Sequence, residues 1–108
     1  MKGEKVLKSD DIWKRIIMQT SNGGDELQTK TGLWFRATSG ENTIYINSAK
    51  YHTPSSKISA IRPISKYEFL RVYDYYDRWI SGEHGVRQEA RNISKNTAYI
   101  FALIKKYA

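Results

Sequence analysis

The stretch Leu33-Trp34-Phe35-Arg36-Ala37-Thr38-Ser39-Gly40-Glu41-Asn42-Thr43-Ile44-Tyr45-Ile46-Asn47 decides the fold. Leu33, Phe35 and Ala37 alternate with Trp34, Arg36 and Thr38, which is the period of two of a β-strand. Ser39-Gly40-Glu41-Asn42 is a turn signal, and Thr43 to Asn47 alternates again with β-branched residues. The pair reads as an antiparallel hairpin. With Leu33, Phe35, Ile44 and Ile46 turned to a core, Trp34, Arg36 and Tyr45 face outward.

Helical spacing surrounds this hairpin. Upstream, Trp13, Ile16, Ile17 and Thr20 share one face, Ser9 is a candidate N-cap, and Asp10 and Asp11 suit the first turn. A helix is predicted from about Asp10 to Gln19, ended by Ser21-Asn22-Gly23-Gly24-Asp25. Residues 1–8 read as a flexible N-terminal tail. Downstream, Ile58 to Arg62 is a candidate third strand, and Pro63 confines it to an edge. Ser65-Lys66-Tyr67-Glu68 has the form of a capping box, with Ile64 and Phe69 as its hydrophobic staple. Phe69, Val72, Tyr73, Tyr76, Trp79 and Ile80 then line one helical face, and Gly82 stops the helix. A short helix is predicted over Val86–Asn92. A last one, capped by Ser94 or Asn96, carries Ile100, Leu103, Ile104 and Tyr107 as its apolar stripe. The class is α+β: an N-terminal helix, an antiparallel hairpin or three-stranded sheet, and two to three C-terminal helices, in a single domain spanning 1–108.

The chain has 108 residues, too few for a dinucleotide fold or a barrel enzyme. Aromatic residues make up 13%, enough for an ordered core. Cysteine is absent, which excludes disulfides, thiol catalysis and thiolate metal sites. No apolar run is long enough to span a bilayer, and the basic start lacks the apolar stretch of a secretory signal, so a cytoplasmic protein with no membrane partner is expected.

The formal net charge is +7. Nine basic and six acidic residues fall in 1–61, and nine and five in 62–108, so a basic patch must be assembled by folding. Such a surface favours an anionic partner, DNA or RNA. Two surfaces are candidates. Trp34, Arg36 and Tyr45 on the outer sheet face could stack on bases or touch phosphate, unless helices cover that face. Lys95 and Asn96, at the turn into the last helix, sit in a stretch that looks like part of a helix-turn-helix. Arg87 and Gln88 depart from that motif, which wants apolar or small residues there.

Catalytic and metal chemistry find little footing. His52 and His84 lie in separate loops without carboxylates at ligand spacing, so no metal is expected. No Gly-x-Ser-x-Gly is present, and Asn22-Gly23-Gly24-Asp25 lacks the Gly-Lys-Ser/Thr ending of a phosphate loop. Asp74 and Asp77, flanked by Arg71 and Arg78, read as surface ion pairs. The expectation is a protein that is not an enzyme, without cofactors. A protein-interaction or structural role is the alternative to nucleic-acid binding.

Two segments carry a resemblance. They are Leu27-x-Thr29-x-Thr31-Gly32-x-x-Phe35, followed by Asn42-x-Ile44-x-Ile46, and the closing Asn96-Thr97-Ala98-Tyr99-Ile100-Phe101-Ala102-Leu103-Ile104. Together they resemble small uncharacterised α+β domains encoded with mobile elements and restriction-type proteins, over about residues 27–104. The resemblance implies an α+β fold and a nucleic-acid neighbourhood. It brings no catalytic residues with it.

Overall fold

A computed structural model describes residues 2–108, with side chains from Ser9 onward. Its order is α1 (Lys2–Thr20), β1 (Asp25–Gln28), β2 (Trp34–Gly40), β3 (Thr43–Ser48), β4 (Arg62–Ile64), α2 (Lys66–Ile80), α3 (Val86–Ile93) and α4 (Thr97–Tyr107). The four strands form one antiparallel sheet in the order β1-β2-β3-β4. The α+β class and the three C-terminal helices agree with the sequence reading. The sheet has one more strand than the pattern indicated.

The hairpin forms on the register the alternation requires. Ala37 opposes Ile46 and Gly40 opposes Thr43, which leaves Glu41 and Asn42 as a two-residue loop. Both have positive φ, 51° and 60°, as a primed hairpin turn demands. Trp13 Nε1 donates to Asn42 Oδ1 at 2.9 Å, so α1 is tied to this turn. Pro63 sits in the edge strand β4 opposite Tyr45, where its missing N–H breaks no ladder. The third strand thus falls later than expected, and Ile58 is buried outside any strand.

One core lies between the helices and one sheet face. Leu27, Phe35, Ala37, Ile44, Ile46 and Ile64 from the sheet meet Trp13, Ile16, Phe69, Val72, Ile100, Leu103 and Ile104 from the helices. Two expected core residues are outside it. Leu33 is 39% exposed because it precedes β2, in the hairpin end where Thr29 N–H bonds its carbonyl. Ile80, 64% exposed, is the final residue of α2. Ile17 and Tyr73 pack against the core only half-buried.

Three local readings also change. Ser9 lies inside α1, which is helical from Lys2 rather than from Asp10. The expected tail at 1–8 falls on Met1 and on side chains outside the described residues. Ser65 caps α2 as expected, accepting from Glu68 N–H at 3.1 Å. The Glu68 carboxylate, however, turns to Ser94 Oγ and to Asn96 Nδ2, the latter at 3.0 Å. It joins α2 to the α3–α4 turn instead of closing the box. Arg78 pairs with Glu83 and Glu89 across the loop, not with Asp74 or Asp77.

In the α1–β1 loop Gly24 has no room for a side chain. Its φ is +83°, and a Cβ there would stand 2.7 Å from the Ala37 carbonyl oxygen.

Candidate nucleic-acid interface

The outer sheet face is not layered over by the helices. Trp34, Arg36, Thr38, Thr43, Tyr45 and Asn47 are all half-buried there. Trp34, Arg36 and Tyr45 share that face but do not form one platform. Arg36 opposes Glu26 and Asn47, whereas Tyr45 opposes Thr38 and Pro63.

Trp34 and Arg36 are instead built into a corner that the sequence did not reveal. The loop after β3 returns beside β2, with Trp34 N–H bonding the Pro54 carbonyl and Ser56 N–H bonding the Trp34 carbonyl, both at 2.8 Å. This lays the His52 ring flat on Trp34, with centroids 4.0 Å apart and planes at 15°. Beneath them stands Glu26, its side chain only 3% exposed. Its carboxylate accepts from the Lys50 N–H at 2.5 Å, the His52 N–H at 3.0 Å and His52 Nδ1 at 2.8 Å. Arg36 Nη1 approaches it at 3.4 Å, Arg36 Nη2 donates to the Gly23 carbonyl, and the guanidinium lies 5.8 Å from the Tyr51 ring centre.

Burial alone would raise the pKa of Glu26. The His52 bond and the backbone N–H donors of the loop outweigh it and hold the carboxyl down at about 2. An ionised carboxylate can only accept, so His52 Nδ1 carries its proton. The geometry orients an imidazole and leaves its Nε2 away from the carboxylate. Every remaining contact of Glu26 fastens a loop, and Arg36 is spent on the same task.

A second region gathers the cations that have no such employment. Arg62, Arg87, Arg91 and Lys95 line a cavity of about 210 Å³ with Thr29 and Tyr99, and no carboxylate among the described residues borders it. None of the four makes an ion pair among the described residues. The α3–α4 turn positions Lys95: Ser94 Oγ accepts the Asn96 N–H at 3.0 Å, and Thr97 Oγ1 donates to the Ser94 carbonyl at 2.8 Å. Lys95 is left exposed at the rim, while Asn96 commits its Nδ2 to Glu68. Arg62 reaches in from β4, with its guanidinium 5.8 Å from the Tyr99 ring centre. Arg87, an unfavourable residue for a helix-turn-helix, is one of the four. In α4, Ile100, Phe101, Ala102, Leu103, Ile104 and Tyr107 are all buried, so it is a core helix and not one free to enter a groove.

A third hollow, of about 380 Å³, adjoins this one. The two share Thr29, Arg87 and Ala98 in their walls. Its floor carries Trp79 and Phe101, stacked at 4.8 Å and 26°. Lys30, at the tip of the β1–β2 hairpin, stands 5.0 Å from the Trp79 ring centre, and Lys105 closes the far side.

No three His, Asp or Glu residues come together to hold a metal among the described residues, and no helix among them is long and apolar enough to cross a membrane. No protein-family model, no curated protein and no solved structure matches the chain.

Proposed function

We propose that this is a non-catalytic nucleic-acid-associated module, cytoplasmic, that holds the phosphate backbone at the α3–α4 face. The observation that carries the reading is the cavity lined by Arg62, Arg87, Arg91 and Lys95 with no carboxylate beside it among the described residues. Four cations brought together with no ion pair among the described residues repel one another, a cost that an anion removes. The overall +7 and the resemblance to domains encoded with mobile elements point the same way. Lys95 keeps the contact role that its place in the turn suggests. Arg36 and Trp34 become supports of the loop at Glu26.

The test is a titration with DNA, single-stranded and duplex, at about 50 and about 200 mM salt, where true phosphate contacts weaken steeply. The Arg91→Gln/Lys95→Gln variant removes two exposed, unpaired cations without touching the core. It should weaken binding and lower the salt slope by roughly two, about one for each phosphate that is no longer neutralised. An unchanged slope overturns the assignment of this face. No binding by the parent chain even at low salt overturns the function and leaves the protein-interaction role.

A further inference from the structure

The phosphate cavity has a neighbour of different chemistry. The larger hollow is walled by the half-buried Trp79 ring, which is stacked on the buried Phe101 and has Lys30 and Arg87 near its face, with the side-chain amide of Gln28 and Lys105 around it. Its volume of about 380 Å³ falls in the roughly 300–1,000 Å³ range of small-molecule sites. Like the phosphate cavity, it has no carboxylate in its wall among the described residues. Thr29, Arg87 and Ala98 belong to both hollows, so one ligand can occupy the two together.

We propose that the paired hollows accept one nucleotide of a single strand: an unpaired base enters the Trp79–Phe101 hollow while its phosphate lies among Arg62, Arg91 and Lys95. This rests on the phosphate reading above and narrows it to single-stranded nucleic acid.

Three observations choose this occupant. A nucleobase is a flat π-system with polar edges, which suits rings bordered by an amide and cations. The anion attached to it needs a second, cationic hollow next door, and one is there. A base stacked in a duplex cannot enter a recess, and α4, the helix that follows the cationic turn, is buried on its apolar side by the sheet and α2.

The experiment uses the full chain and three ligands: a thymidine strand roughly eight nucleotides long, the same backbone with abasic sites throughout, and a duplex of equal length. Affinity and the indole N–H resonances of Trp13, Trp34 and Trp79 are read together. The normal strand should bind roughly tenfold or more tightly than the abasic one, and the Trp79 indole should shift while that of Trp34 stays in place. The Lys30→Ala variant, at an exposed hairpin tip, should narrow the gap between the two strands without changing the salt slope. Equal affinity for normal and abasic strands, with a steep salt slope kept, overturns the base site and leaves the phosphate face standing. A shift at Trp34 with Trp79 unmoved also overturns it, in favour of the sheet. If no ligand binds, the phosphate reading fails first and this one with it.

Discussion

Glu26 and His52 are 26 residues apart in sequence and 2.8 Å apart in space, and their contact fixes the loop that follows β3. The carboxylate is nearly sealed from solvent, yet it is supplied with the N–H groups of Lys50, Tyr51 and His52. A single side chain thus satisfies backbone donors that no strand pairs.

Glu26→Gln keeps the shape but replaces one acceptor oxygen with a donor that must face other donors. We expect a loss of about 3 kcal/mol, the scale seen when one member of a buried pair is removed. Urea midpoints would measure it. The stacked Trp34–His52 rings should separate in the same variant, which indole fluorescence would register.

The same residue sets an acid response. Folding lowers the Glu26 pKa from 4.5 to about 2, so its stabilising contribution is complete above 4.5. It drains away as pH falls through that interval and is gone below about 2. Asp25 adds to the trend in the same direction: burial pushes its carboxyl up, but Lys106 and the Tyr107 hydroxyl together hold it below the ordinary value. The wild type should therefore lose stability on acidification more steeply than Glu26→Gln, and the two curves should converge at low pH. Parallel curves would show that Glu26 titrates alike in the folded and unfolded chain.

Phe69→Ala should cost about 3–5 kcal/mol. Phe69 is fully buried and packs its ring against Trp13 at 5.3 Å and Tyr73 at 6.1 Å, and so joins α2 to α1. Thermal unfolding would read the change.

The residues legible in the sequence are those whose partners repeat at short spacing. Phe35, Ala37, Ile44 and Ile46 alternate, and Ile100, Leu103 and Ile104 recur at helical intervals, so both packed layers can be read from the pattern. β1 cannot. It has four residues, begins with two carboxylates, and buries the second of them because of a loop that lies beyond two strands. His52 reads as a solvated loop residue for the same reason: nothing near it in sequence announces Trp34 or Glu26. Lys95 stands out within its turn, but Arg62, Arg87 and Arg91 come from separate positions in β4 and α3, and only the fold assembles them. The Thr29-x-Thr31-Gly32 pattern is the one local sign of the β1–β2 hairpin whose tip delivers Lys30.

Ser65→Ala should lose about 1 kcal/mol, for the one cap bond to Glu68 N–H. Glu68→Ala should lose more, because it also leaves Ser94 Oγ and Asn96 Nδ2 without the carboxylate that links α2 to the α3–α4 turn. A full capping box would instead make the two losses similar. Urea midpoints of the two variants, side by side, decide between these arrangements.

Arg36 separates the two candidate surfaces. The outward strand position and the neighbouring aromatics mark it as a phosphate contact, but its guanidinium is held by Glu26, by the Gly23 carbonyl and over Tyr51. Arg36→Ala should therefore act on stability. Removing it takes a cationic partner from a buried carboxylate and unties the α1–β1 loop, with an expected loss of about 2–3 kcal/mol. Binding of DNA by the remaining folded protein should keep its salt slope, because the cations of the α3–α4 cavity are untouched. Arg91→Gln/Lys95→Gln should behave in the opposite way, with melting temperature unchanged and the slope reduced. A lower slope together with an unchanged melting temperature for Arg36→Ala would return the interface to the sheet face, with Trp34 and Tyr45 beside it.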